Sequence, residues 1–149
     1  QKMGATAQGI DSHFLTRTLQ ENKTADFLET PQQQLDFLAE MGVGNEENFY
    51  QNMLRDFANT QQQLHQMIAY WRSGNSKALN EIANLPMEKD YPAMHKTLLV
   101  DRNNDWMPKI ENYFNTQEIE FVMVGAAHLV GRFGIVEQLK AKGYQVEKL

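Results

Sequence analysis

The side chains with chemistry to offer fall in a few short stretches of this chain. Val124-Gly125-Ala126-Ala127-His128-Leu129-Val130-Gly131-Arg132-Phe133-Gly134 places a histidine in a glycine-flanked loop directly after an apolar, β-prone run. Glycine lets a backbone turn tightly and approach a ligand, and ligands of open α/β sheets gather beyond the carboxyl ends of strands. His128 at that place is either a working imidazole or one satisfied by a turn carbonyl. Arg102 and Asn103 stand side by side above an apolar helical face, where a guanidinium and an amide could clamp a carboxylate or stabilise an oxyanion. The plainer reading is an exposed helix charge paired with Asp101 or Asp105. Leu28-Glu29-Thr30 sets a carboxylate at an element junction, as a general base, a metal ligand or an acid facing a helix dipole.

Other chemistries are excluded by spacing and composition. Glycines at 125, 131 and 134 fit neither the dinucleotide fingerprint nor the Walker phosphate loop, and no Gly-Lys-Ser/Thr follows. His13, His65 and His95 lie on predicted helices without a histidine four residues on, which leaves no helical zinc pair and points to surface or packing roles. The sequence contains no cysteine, so thiol nucleophiles, zinc fingers, iron-sulfur ligation and disulfides are absent together.

These residues need elements to position them. Apolar spacing predicts a helix over about 11 to 21, a brief buried strand over 23 to 29, and a helix opened by Thr30-Pro31 with Leu35, Leu38 and Met41 inward. Positions from Phe49 to Trp71 step by three or four, predicting one long amphipathic helix over 45 to 72. Ser73-Gly74-Asn75 closes it, a shorter helix follows over 76 to 82, and Pro86 and Pro92 mark a loop. Met94, Leu98, Leu99, Trp106 and Ile110 give the helix carrying Arg102 and Asn103, with a kink or interruption expected at Pro108. Ile119 to Val124 reads as a strand, 131 to 142 as loop and helix, and 144 to 149 as a closing strand. The expected fold is α/β and helix-rich: a small sheet with a C-terminal βαβ unit and one long amphipathic helix.

The 149 residues suit one domain, and a chain this long folds without a metal or disulfide staple. Fourteen Lys and Arg against nineteen Asp and Glu give a net charge of -5, which disfavours nonspecific nucleic-acid binding. The apolar runs are far shorter than the roughly 20 residues a membrane-spanning helix requires. Residues 1 to 7 lack the pattern of a secretory signal, and the leading Gln1 suggests a mature product or an excised piece.

Taken in order, Gly9-Ile10-Asp11 with His13-Phe14-Leu15, Leu28-Glu29-Thr30 with Gln34-Leu35, Trp71-Arg72-Ser73-Gly74, Leu98 to Asn103 with Trp106, Phe121 to Gly131, and Gly143-Tyr144 resemble the TraB/PrgY/GumN family, also called TIKI-like. The most specific pieces are Arg-Asn-x-x-Trp and the Gly125 to His128 loop, which resembles the family's second Gly-x-x-His motif. The resemblance implies a two-histidine site with a glutamate and an arginine nearby. The second motif maps onto Gly125 and His128, with Gly131 as a further loop glycine, the glutamate onto Glu29, and the basic-amide pair onto Arg102 and Asn103. The first motif has no match, so the chain looks like the carboxyl-terminal half of such a protein.

Animal members are regarded as metal-dependent proteases. The resemblance therefore implies a hydrolase of peptides or other polar substrates, with Glu29, Arg102, Asn103 and His128 catalytic. His128 and Glu29 would ligate manganese, cobalt or zinc, with further ligands from outside the chain, or handle protons, and Arg102 with Asn103 would hold an anionic group. The alternatives are a non-catalytic module of the bacterial envelope that binds a peptide or small ligand, and a structural envelope partner docked through the 45 to 72 helix. Bacterial relatives are often exported, which implies an extracytoplasmic location. The expected small sheet would leave open edges, predicting a homodimer or pairing with an upstream half.

Overall fold

A computed structural model of the chain describes residues 9–39 and 60–149. Its helices are α1 (Ile10–Gln20), α2 (Pro31–Ala39), α3 (Thr60–Arg72), α4 (Ser76–Asp90), α5 (Pro92–His95), α6 (Arg102–Tyr113), α7 (Ala126–Leu129) and α8 (Ile135–Ala141). A π-helical segment, Lys96–Asp101, joins α5 to α6.

Local signals account for several of these boundaries. Thr30 and Gln33 form a reciprocal capping box at the start of α2: the Gln33 N–H donates to Thr30 Oγ1 at 3.2 Å and the Thr30 N–H to Gln33 Oε1 at 2.8 Å. Gly74 takes the left-handed conformation, φ 61°, between α3 and α4. Asn75 then caps α4 by accepting from the Ala78 N–H. The core gathers Trp106, Met107 and Ile110 of α6 with Ile135 of α8, flanked by Leu28, Val124 and Leu139.

The expected sheet and C-terminal βαβ unit are overturned: among the described residues there is no β-strand. The segments 23 to 29, 119 to 124 and 144 to 149 contain no ladder. A β-rich run supplies a face, but a strand exists only when another strand accepts its lateral hydrogen bonds. Ile119 is fully exposed and Phe121 is 72% exposed, so the first half of the central run remains largely uncovered, whereas Val124 at its end packs against the core.

The loop expected at Pro86 and the interruption expected at Pro108 are also corrected. α4 continues through Pro86 to Asp90, and α6 runs through Pro108 to Tyr113. Both prolines are exposed, so each ring lies on the outer surface of its helix while one internal hydrogen bond is forgone. Leu35 of α2 is exposed rather than inward-facing. The predicted long helix is observed from Thr60; its 45 to 59 portion, like Met41, lies outside the described residues. No helix among the described residues is long and apolar enough to cross a membrane.

Candidate functional site

The site is assembled where α6 meets the turn α7. The π-helical segment delivers the chain into α6, so that Arg102 and Asn103 open that helix with different surroundings. π turns inside helices recur at functional sites, because the wider turn resets which residues face a neighbour.

Arg102 reaches back 73 residues to Glu29. Its Nε donates to Glu29 Oε2 at 3.0 Å and its Nη2 to Oε1 at 2.6 Å, while Nη1 donates to the Leu98 carbonyl at 3.2 Å. Both side chains are largely buried, at 16% and 14% exposure. This is the bidentate geometry a guanidinium provides and an ammonium cannot. The guanidinium carbon also lies 5.0 Å from the Trp106 ring centroid and 5.5 Å from that of Phe37. Arg102 is thus the partner of Glu29 rather than of Asp101 or Asp105, and Asp101 instead receives Lys96.

Asn103 is 1% exposed and is fully engaged. Its amide nitrogen donates to the His128 carbonyl at 3.2 Å and to the Phe133 carbonyl at 2.8 Å. Its Oδ1 lies 2.7 Å from His128 Nδ1. Two carbonyl partners fix which end of the amide is nitrogen, so Oδ1 faces the ring and Nδ1 must carry the proton. Nε2 is left with its lone pair.

His128 occupies the one-turn helix α7, closed by its own N–H donating to the Gly125 carbonyl at 2.9 Å. Gly125 has an ordinary backbone geometry, φ -57°, whereas Gly131 is left-handed at φ 83°. A Cβ on Gly134 would lie 2.7 Å from the Leu129 backbone, so this glycine permits the loop to fold tightly against the start of α8. The His128 ring is buried and its centroid is 4.5 Å from that of Trp106. Burial, reinforced by the Arg102 charge and opposed by Glu29, pushes its pKa down to about 4.

Glu29, Arg102, Trp106, His128 and Asn103 therefore form one continuous set of contacts. Asn84 completes it, although its helical position carries no local sign beyond a polar residue in an apolar stripe. Its amide nitrogen donates to the Ala127 and Val130 carbonyls, both at 3.0 Å, and so holds the histidine turn through two carbonyls that Asn103 does not engage. His13 and His65 are exposed and stand apart from this set, whereas His95 is buried beside Phe133.

The metal fit is limited. His128 Nε2 has the orientation of a ligand, with Nδ1–H held by an amide oxygen as metal-binding histidines usually are. Glu29 does not match it, because Arg102 engages both carboxylate oxygens. Among the described residues no group of three or more His, Cys, Asp or Glu side chains could hold a metal ion. The described residues alone do not fit a complete metal centre.

A pH prediction follows from the buried imidazole. The folded value of about 4 lies below the ordinary 6.5, so the unfolded chain binds the proton more readily. Stability contributed by neutral His128 is complete above about pH 6.5 and is lost as pH falls through the window down to about 4. Burial lowers His95 in the same direction. Urea midpoints measured from pH 7 to pH 4 should fall more steeply for the wild type than for His128→Gln; parallel curves would contradict the burial of His128.

Among the described residues, a helix-rich scaffold links a glutamate, an arginine and an asparagine to a Gly-x-x-His turn in a buried polar centre. The TraB/PrgY/gumN family model matches residues 1–148, and the chain belongs to that family. Comparisons with curated proteins and with solved structures return no match.

Proposed function

We propose that this protein is a hydrolase of peptides or other polar substrates in which His128 supplies the reacting nitrogen. The observation that carries this reading is the 2.7 Å contact between His128 Nδ1 and Asn103 Oδ1. It fixes the tautomer, leaves Nε2 able to accept a proton, and sets the ring against Trp106. A neutral imidazole is the protonation state a general base requires. Asn103 is a positioning residue, and Arg102 holds Glu29 through both carboxylate oxygens. A divalent cation, manganese, cobalt or zinc, would take His128 Nε2 as one ligand and would need others from outside this set.

Purified protein assayed on a broad peptide and ester panel, with and without each metal, tests the reading. Activity should fall roughly a hundredfold or more in His128→Ala, the range general base catalysis contributes. Activity unchanged in that variant would remove His128 from the chemistry. Full inactivity across the panel, with peptide binding retained, would favour the alternative of a binding module. That alternative has one observation in its favour, since the Glu29 carboxylate is already held by Arg102.

Self-association remains part of the proposal, now on a different basis. With no sheet edge among the described residues, the exposed Ile119 and Phe121 are the surface that a second copy would cover. Light scattering coupled to size exclusion should detect a dimer; a 17.2 kDa species at every concentration would reject it.

A further inference from the structure

Beside the histidine turn lies a cavity of about 510 Å³, bounded by α4, His95, Leu99 and the loop from Ala127 to Gly134. Small-molecule sites commonly measure about 300–1,000 Å³. Its apolar lining comes from Leu85, Leu99, Val130 and Phe133, of which Leu99 and Val130 are buried. Two of its amides have nothing to give a ligand. Asn103 is fully engaged, and Asn84 spends its nitrogen on the Ala127 and Val130 carbonyls while its Oδ1 is sealed from solvent.

The demand on a ligand is set by three ionic side chains and one imidazole. Glu88, Lys89 and Arg132 all line the cavity, two cations against one carboxylate. Arg132 Nη2 donates to Glu88 Oε1, and a guanidinium has five N–H groups, so others stay available. Lys89 is exposed and has no ion-pair partner among the described residues, so the excess is one positive charge. His95 is 5% exposed, with its ring centroid 5.9 Å from that of Phe133. Among the described residues its ring nitrogens have no hydrogen-bond partner, and they are not sealed from solvent as Asn84 Oδ1 is. Burial lowers its pKa, with Glu88 raising it and Arg132 lowering it, so at neutral pH the ring is uncharged and presents one N–H. A largely buried N–H without a partner calls for an acceptor.

We infer that this cavity binds a monoanion, a carboxylate carried on an apolar body, the body packing on Leu99, Val130 and Phe133 and the carboxylate meeting Lys89, Arg132 and the His95 N–H. A carboxylate supplies only acceptors, which is what these three donors require. A dianion is a poorer match, because Glu88 stands at the same site and a single positive charge is in excess. The cavity meets the histidine turn at Ala127 rather than at His128, and the inference stands whether or not the hydrolase reading does.

The probe is 4-methylpentanoate, titrated at pH 7 into isotopically labelled protein and followed by amide and imidazole chemical shifts. Saturable shifts are expected at Gly131, Phe133, Gly134 and the His95 ring. The amide counterpart, 4-methylpentanamide, has the same body and no charge, and should bind about tenfold more weakly, the difference a charged hydrogen bond makes. Lys89→Gln should weaken the acid about threefold and leave the amide unchanged. Lys89 is exposed, so its replacement should not alter the helical circular dichroism. Gly-Gly-Leu presents the same body and carboxylate at a peptide's end. Tighter binding than that of the free acid assigns the site to peptide ends and weaker binding to small carboxylates, and both support the inference. Equal binding of acid and amide, shifts confined to residues outside the cavity, or no saturable shift would overturn it. The acid and amide comparison uses wild-type protein, so it decides even if the glutamine variant fails to fold.

Discussion

Replacing Arg102 with alanine is expected to destabilise the folded chain by about 3 kcal/mol, because it strands the Glu29 carboxylate without its cation. The side chains retain 16% and 14% exposure, which places the loss at the lower end of what breaking a buried pair costs. The stacking of the guanidinium between Phe37 and Trp106 is lost in the same step. Arg102→Lys should recover only part of this, since an ammonium cannot engage both carboxylate oxygens at once. The double variant Arg102→Met with Glu29→Leu should be more stable than Arg102→Ala, as both charges then leave together. Urea unfolding monitored by tryptophan fluorescence measures all three. A loss below 1 kcal/mol for Arg102→Ala would mean that Glu29 is solvated.

Asn103→Leu is expected to cost a similar amount, about 3 kcal/mol, by a different route. The leucine fills the space but leaves the His128 and Phe133 carbonyls and the His128 Nδ1–H without partners. Asn103→Asp is the more informative change. It keeps an acceptor for Nδ1 and turns its second carboxylate oxygen toward two carbonyl oxygens, so it should also destabilise. The added negative charge should raise the imidazole pKa. Nitrogen chemical shifts of the His128 ring read this directly: the wild type should show protonated Nδ1 and bare Nε2 at neutral pH. A mixture of tautomers in the wild type would remove Asn103 as the positioning residue.

What the sequence discloses here depends on the range of the interaction. The start of α2 is legible because Thr30, Pro31 and Gln33 settle it among themselves. The strand reading of Ile119 to Val124 fails because β-structure is decided by a partner elsewhere, and a run of β-branched and aromatic residues cannot say whether one is present. Glu29, Arg102, Asn103 and His128 are visible as residue types able to do chemistry. That Glu29 and Arg102 bind each other over 73 positions is not visible locally. Asn84 is harder still: on a helix an asparagine resembles solvated surface until the carbonyls of Ala127 and Val130 are seen to face it. The π-helical segment has no signature in Lys96-Thr97-Leu98-Leu99-Val100-Asp101, which would serve equally well as ordinary helix.

That last segment ties the site to the width of a helical turn as much as to the identities of the residues in it. Each α-helical residue advances the chain by about 100° around the axis. A π turn holds more residues for the same rotation, so winding all six residues 96 to 101 as ordinary α-helix would rotate everything after them by about one residue's step relative to α5. Arg102 would swing away from Glu29, and Asn103 from the histidine turn. Deleting one of the six would instead let the shortened stretch wind as α-helix with Arg102 and Asn103 facing much as they do now, so a deletion scan should find this stretch more tolerant of losing one residue than the α-helical turns of α6, where the same loss rotates all that follows by about 100°. In this protein six residues wound as regular helix and an assembled polar centre are competing outcomes, and the wide turn decides between them.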